Sequence, residues 1–211
     1  MKSEKGENIS LKVVEIFHSI QGEGANTGKS AIFVRLANCN KNCWYCDTDW
    51  RFGTDMTVNQ ILEEVKRLAL PSEEEEEHLL IWTGGEPTLQ LTDEVLEHFN
   101  GYFNCIETNG SNKVPSKIKY ISCSPKVSTS VLRENFDFVN EFRYPASSES
   151  TIPSISELPK ADNYFISPIF MGDERKRFEM DKTNIEFCID FVKKNPQWRI
   201  SLQTHKLLNI R

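Results

Sequence analysis

Short apolar runs alternate with amphipathic stretches along this chain, and that alternation predicts an α/β fold. Lys12 to Phe17, rich in Val, Ile and Phe and bounded by polar residues, reads as a first strand ending near His18. Ala31 to Ala37 reads as a second, continuously apolar strand interrupted only by Arg35, and His78 to Trp82 as the next buried one. Thr57 to Leu70 places Ile61, Val65 and Leu68 on one helical face, with Thr57 and Gln60 forming a capping box. Thr92 caps a helix carrying Val95, Leu96 and Phe99, with Asp93 and Glu94 in its first turn and Gly101 after its end. Further strands are predicted near Tyr102 to Glu107, Lys119 to Cys123, Phe136 to Phe142, Asn163 to Ser167 and Arg199 to Gln203. A last long helix is predicted to start in a capping box, Thr183-Asn184-Ile185-Glu186, and to turn Ile185, Cys188, Ile189 and Val192 inward.

Such an order implies a mainly parallel sheet with right-handed crossovers. Polar, glycine-bearing segments follow the strands directly: Cys39 to Thr48, Thr83 to Pro87, Glu107 to Gly110, Ser124 to Lys126, Ser167-Pro168 and Thr204-His205-Lys206. Loops at the C-terminal ends of parallel strands share one face, where α/β enzymes build their sites. Helices between Tyr102 and Phe142 look short or absent, so the expected architecture is an incomplete, modified TIM-like barrel. No composition shift divides the 211 residues, and one domain spanning residues 1–211 is expected, with residues 1–9 as a charged, mobile leader.

A net charge of −6 argues against general nucleic-acid binding, which needs a basic surface. No apolar run reaches membrane-spanning length, and the N-terminus lacks the apolar core of a signal peptide. A soluble cytoplasmic protein with a small substrate is expected. The acidic run Glu73 to Glu77 reads as a solvated loop, and the charged stretch 171–181 as a mobile insertion.

The chemistry gathers in Cys39-Asn40-Lys41-Asn42-Cys43-Trp44-Tyr45-Cys46, three cysteines spaced C-x-x-x-C-x-x-C. Six cysteines in a chain without a secretory segment point to metal or reactivity rather than disulfides. Three thiolates can hold an iron-sulfur cube and leave one iron open to another ligand. A structural zinc would need a fourth ligand, which His18, His78, His98 or His205 could supply only by folding back. Cys105 and Cys188 read as core residues, and Cys123 lacks partners for a ligand role. Gln21-Gly22-Glu23-Gly24 allows a tight turn and close approach to a ligand, or is an ordinary turn. Arg35 either holds an acidic substrate bidentately or pairs with an acid such as Glu23.

The cysteine spacing, the aromatic Tyr45 before the third cysteine, and the glycine-rich Thr83-Gly84-Gly85-Glu86-Pro87 resemble the radical S-adenosylmethionine enzymes. Within that superfamily, Gln21 to Gly24, Arg35, Cys46-Asp47-Thr48, Ser124-Pro125-Lys126 and Gln203-Thr204-His205-Lys206 resemble the 7-carboxy-7-deazaguanine synthases. The resemblance implies a lyase that converts 6-carboxytetrahydropterin to 7-carboxy-7-deazaguanine with loss of ammonia, on the route to queuosine and related deazapurines. It implies a 4Fe-4S cluster, S-adenosylmethionine and Mg2+ as cofactors, a flavodoxin-type reductant and a homodimer. Carried over residue by residue, it assigns the cluster to Cys39, Cys43 and Cys46 and magnesium to Thr48. The cofactor falls to Tyr45, Asp47, Gly84, Gly85, Ser124, Lys126 and Ser167, the last standing where the family pattern has Gln. The substrate falls to Ile20, Gln21, Gly22, Glu23, Arg35, Thr83, His205 and the terminal Arg211. Two other classes compete with this reading. A glycyl-radical-enzyme activase leaves Asp47-Thr48 and Gln203 to Lys206 without a role, and a zinc or electron-transfer module has little need of the Thr83 to Pro87 loop.

Overall fold

The computed structural model describes residues 9–69, 77–170 and 181–210. The predicted leader apart from Ile9, Glu73 to Glu76, most of the 171–181 segment and Arg211 lie outside the described residues. The chain forms β1 (Ser10–Ile20), β2 (Ser30–Leu36), β3 (Thr54–Thr57), α1 (Val58–Leu68), β4 (Leu79–Gly84), α2 (Asp93–Glu97), β5 (Phe103–Thr108) and β6 (Tyr120–Cys123). It continues through α3 (Thr129–Asn135), β7 (Phe138–Ala146), β8 (Lys160–Pro168), α4 (Lys182–Lys194), β9 (Trp198–Ile200) and α5 (Thr204–Leu207). The nine strands of the described residues join one sheet in the order β3-β1-β2-β4-β5-β6-β7-β8-β9. From β2 to β9 every pairing is parallel, while β1 runs antiparallel to both β2 and β3. The sheet is thus mainly parallel and open, the incomplete barrel that the sequence led us to expect.

Strand register sorts the side chains onto two faces. Ile32, Val34, Leu36, Leu80, Trp82 and Ile106 point outward and pack under Val58, Ile61 and Val65 of α1 and Val95, Leu96 and Phe99 around α2. A second outer layer sets Phe142 and Ile166 against Leu132 of α3 and Cys188 of α4. Each such fully buried side chain contributes about 1.5–3 kcal/mol. The opposite, concave face changes character along the strands. Ala31, Phe33, Ile81 and Cys105 form an apolar floor, and one pair of residues farther on stand Arg35, Thr83, Glu107, Ser122 and Arg143. The barrel's C-terminal mouth is therefore polar by register alone.

Several expectations hold in detail. The Thr57–Gln60 capping box is present, Thr92 accepts from the Val95 amide, and Cys105 and Cys188 are core residues. Others are corrected. Helix α4 is capped by the Asp181 carboxylate, which accepts from the Asn184 amide, so Thr183 lies inside the helix. Ile189 is exposed, and Asn184 turns inward in its place to bond the Ile169 carbonyl at 2.9 Å. The last strand is shorter and earlier than predicted, and β3 and α3 were not predicted. Among the described residues no helix is long and apolar enough to cross a membrane.

Candidate active site

The open side of the sheet is crossed by the Gln21 to Asn26 loop. The Gly24 amide donates to Ser201 Oγ beyond β9 at 2.8 Å, and the Ala25 amide donates to Glu141 on β7 at 2.8 Å. Thr204 of α5 donates to the Gly22 carbonyl through its amide and its hydroxyl. Gly24 has φ +71°, and a side chain there would run into the Glu141 carboxylate, so the loop turns where only glycine fits easily. The loop thereby ties β1 to β7 and to the segment after β9, and delivers Glu23 to the mouth.

The cysteine loop leaves β2 through Asn38, which takes φ 66°. Its carbonyl accepts from the Glu86 amide at 2.8 Å, and the Leu36 carbonyl accepts from the Gly85 amide at 2.8 Å. The cysteine loop and the glycine-rich loop thus lie backbone on backbone. Glu86, fully buried, accepts from the hydroxyls of Thr88 and Thr108 and from the Asn109 amide at 2.7 Å. Asn109 in turn donates to Asn40 at 2.9 Å, beside Cys39. Three successive loops are tied into one platform by these contacts. Asn38 and Asn109 were not singled out in the sequence; a left-handed asparagine before a cysteine loop carries no distinctive local signal.

Cys39 and Cys43 are half-buried, Cys46 is exposed, and none of the three is in a disulfide. Burial pushes the Cys39 thiol up, an effect opposed by the Lys41 amide that donates to its sulfur at 3.4 Å. Among the described residues no group of three His, Cys, Asp or Glu side chains is arranged around a single metal position. Tyr45 edges Trp44 and lies 5.7 Å from the Lys126 ammonium, which donates to Ser124 at 2.9 Å. Asp47 is held by Lys206 of α5 at 2.5 Å. Burial works to raise the Asp47 carboxyl, but Lys206 outweighs it and holds it low. Ser167, at the end of β8, has the one buried side-chain oxygen or nitrogen without a hydrogen-bond partner among the described residues. A buried orphan hydroxyl at the rim fits a polar ligand that completes it.

Inside the mouth, Arg35 donates to Glu15 at 2.9 Å and to the Thr48 hydroxyl at 3.1 Å, so the acid beside it is Glu15 and not Glu23. Glu107 accepts from Gln21 at 3.1 Å, from Thr83 at 2.7 Å and from Arg143 at 2.6 Å. Burial works to raise its carboxyl, but Arg143 and these donors hold it down at about 2. Glu23 meets Arg143 at 3.1 Å, yet burial dominates and pushes its carboxyl up to about 7, with Glu107 and Asp47 adding repulsion. His205 packs its ring on Gly22, where a Cβ would have no room, and burial together with Lys206 lowers its basicity. Gln21, Glu23, Arg35, Thr83 and His205, all predicted from the sequence, therefore share one mouth, while Glu107, Arg143 and Glu141 were missed.

The raised Glu23 carboxyl has a thermodynamic signature. Between its ordinary pKa of 4.5 and about 7 it takes up a proton on folding, so its contribution to stability is full below 4.5 and is lost as pH rises through 7. The melting temperature of the apoprotein minus that of Glu23→Gln is expected to fall between pH 5 and pH 8. A difference that stays level with pH would show that Glu23 ionises normally.

The chain resembles proteins of known activity over nearly its whole length. The radical SAM superfamily profile matches residues 34–122. It is 37% identical over 202 residues to the 7-carboxy-7-deazaguanine synthase of Bacteroides thetaiotaomicron, covering 95% of this chain and 98% of that protein. Identity to the 7-carboxy-7-deazaguanine synthase of Haemophilus influenzae is 38% over 213 residues, covering 95% and 94%. In fold it matches the crystal structure of QueE from Escherichia coli with a TM-score of 0.64 at 22% identity, covering 96% of this chain and 99% of that one.

Proposed function

Because the chain belongs to the 7-carboxy-7-deazaguanine synthase family of radical SAM enzymes, we propose that the polar barrel mouth is where its pterin substrate is held and rearranged. The protein is a radical SAM lyase that forms 7-carboxy-7-deazaguanine from 6-carboxytetrahydropterin with release of ammonia, in queuosine biosynthesis. The observation that carries the site reading is the convergence of Gln21, Glu23, Arg35, Thr83 and His205, from four separate segments, around the rim beside the three cysteines. Arg211 remains a proposal from family resemblance.

Cys39, Cys43 and Cys46 would hold the 4Fe-4S cluster. S-adenosylmethionine would lie along Tyr45, Asp47, Gly84, Gly85, Ser124, Lys126 and Ser167, and the orphan hydroxyl of Ser167 suits a shorter replacement for the family's glutamine. When bound, cluster and cofactor supply a carbon-centred radical that removes hydrogen from the substrate. This chain's own residues do the rest of the work by placement. Gln21, Glu23, Thr83 and His205 present amide, carboxylate, hydroxyl and imidazole groups to the donor and acceptor edge of a flat pterin. The apolar floor of Phe33, Ile81 and Cys105 excludes water beneath it.

Thr48 would bind magnesium through its hydroxyl, which keeps a lone pair free while accepting from Arg35. A guanidinium and a divalent cation on one oxygen repel each other, and the substrate carboxylate would offset both charges. Thr48→Ala is therefore expected to raise the magnesium concentration needed for half-maximal rate by at least about tenfold. An unchanged magnesium requirement would remove Thr48 from the site. We further propose that the enzyme acts as a single-domain homodimer in the cytoplasm and takes electrons from a flavodoxin-type donor.

The function is tested by anaerobic incubation of the reconstituted protein with reductant, S-adenosylmethionine, Mg2+ and 6-carboxytetrahydropterin. Deazaguanine product detected by mass is expected; cofactor cleavage without it would contradict the substrate.

A further inference from the structure

Arg143 stands at the centre of the mouth, and neither its strand context nor its place in the sequence marks it. Its side chain is about one-twentieth exposed, and its fork reaches three acids at once. Nη1 donates to Glu23 at 3.1 Å, Nη2 to Glu107 at 2.6 Å, and Nε to Ser122 at 2.7 Å, with Glu141 3.1 Å from Nε. Glu141 itself is saturated by Tyr120, Ser122 and the Ala25 amide.

We propose that Arg143 is a positioning residue for the substrate: by bridging Glu23 and Glu107 it fixes the loop at Gln21 to Gly24 against the barrel interior and sets the four groups that meet the pterin. This rests on the reading of the mouth as the pterin site. Gln21 and Thr83 both donate to Glu107, so the orientation of Glu107 decides where their remaining donors and acceptors face. Glu141 anchors the far end of the same loop through Ala25. Three carboxylates gathered at low dielectric repel strongly, and a single guanidinium gives Glu23 and Glu107 separate donors while its charge lies beside Glu141. Lysine could neutralise one of them as a point charge but could not span all three. Among the described residues Arg143 bonds Glu23, Glu107 and Ser122 and none of the three cysteines, so its loss is felt first on the substrate side of the mouth.

The test compares wild type with Arg143→Lys and with the double variant Glu23→Gln, Arg143→Gln, each reconstituted with its cluster. Arg143→Lys keeps the buried charge, and the melting temperature of each variant is read first, so that KM values are compared on folded protein. The KM for 6-carboxytetrahydropterin is expected to rise about 10- to 100-fold in Arg143→Lys, the scale of losing charge-assisted hydrogen bonds. The KM for S-adenosylmethionine should move less than about twofold. In the double variant the pterin KM is expected to exceed that of Glu23→Gln measured beside it, because Arg143 also orients Glu107 and through it Gln21 and Thr83. An unchanged pterin KM in Arg143→Lys, or equal rises in both KM values, would overturn the proposal. If wild type itself makes no deazaguanine, the pterin reading fails instead.

Discussion

Replacing Cys43 by alanine is expected to abolish formation of 7-carboxy-7-deazaguanine while leaving the fold intact. A cube anchored by three thiolates has no spare ligand in this chain: Cys105, Cys123 and Cys188 are buried in the hydrophobic layers. Burial pushes the thiols of Cys105 and Cys188 up to about 12, further from the thiolate that iron requires. Cys43 itself is half-buried on a loop and packs in none of the three apolar clusters, so truncation should change stability by less than about 0.5 kcal/mol. Iron content and the brown absorbance should fall together with product, at an unaltered melting temperature. Product at the wild-type rate would mean that the cluster, if one forms, is held elsewhere.

Gly85→Ala should be as damaging, by a different route. A Cβ on Gly85 would lie 1.9 Å from the Asn38 carbonyl oxygen and 2.5 Å from its carbon, both backbone atoms that cannot rotate away. Relief demands that the two loops separate, breaking the hydrogen bonds from Gly85 to Leu36 and from Glu86 to Asn38. Losing two such bonds costs about 2–3 kcal/mol or more, which lowers the melting temperature by roughly 4–12 °C in a protein of this size. Cofactor affinity should fall further still, because Asn38 leads directly into Cys39. Gly101→Ala is the control, since nothing lies within 4 Å of its added methyl group. Calorimetry of both variants, with equilibrium binding of S-adenosylmethionine, checks this; a Gly85→Ala protein as stable as Gly101→Ala would show that the loops do not touch.

These two residues were legible in the sequence because their motifs are local: a spacing of thiolates and a pair of glycines between a strand and an acid. The alternation of strands and helices was legible for the same reason, as was the common face of the strand-following loops. Arg143, Glu107 and Glu141 were hidden because each sits within a strand, and only pairing register reveals that they face the barrel interior. Glu15 as the acid beside Arg35 was hidden for a related reason. Glu15 lies directly across the antiparallel β1–β2 pair, a contact that depends on β1 reversing direction, while the alternation of elements suggested parallel neighbours. The start of α4 turned on a choice between two cap residues two positions apart, which local preference does not separate. Helix α3 escaped because it is short and turns just Leu132 fully inward, too weak a stripe to stand out.

The charge layout favours one end of the barrel for the proposed binding. A cavity of about 580 Å³ lies at the N-terminal ends of the strands, between the Ile152 to Ser156 segment, Phe191 and Trp198. It is lined by no charged side chain. The mouth at the other end combines Arg143, Arg35, Glu23 and Glu107 with the cysteine loop, and a carboxylated pterin needs both the polar edge and the cluster within reach.

An anaerobic crystal structure of the reconstituted enzyme with S-adenosylmethionine, Mg2+ and 6-carboxytetrahydropterin tests that placement most directly. The pterin is expected in the mouth, with its polar edge on Gln21, Glu23 and Thr83 and its carboxylate beside Arg35 and Thr48. Pterin bound in the cavity beside Trp198, or in the mouth but remote from Glu23 and Thr83, would contradict it.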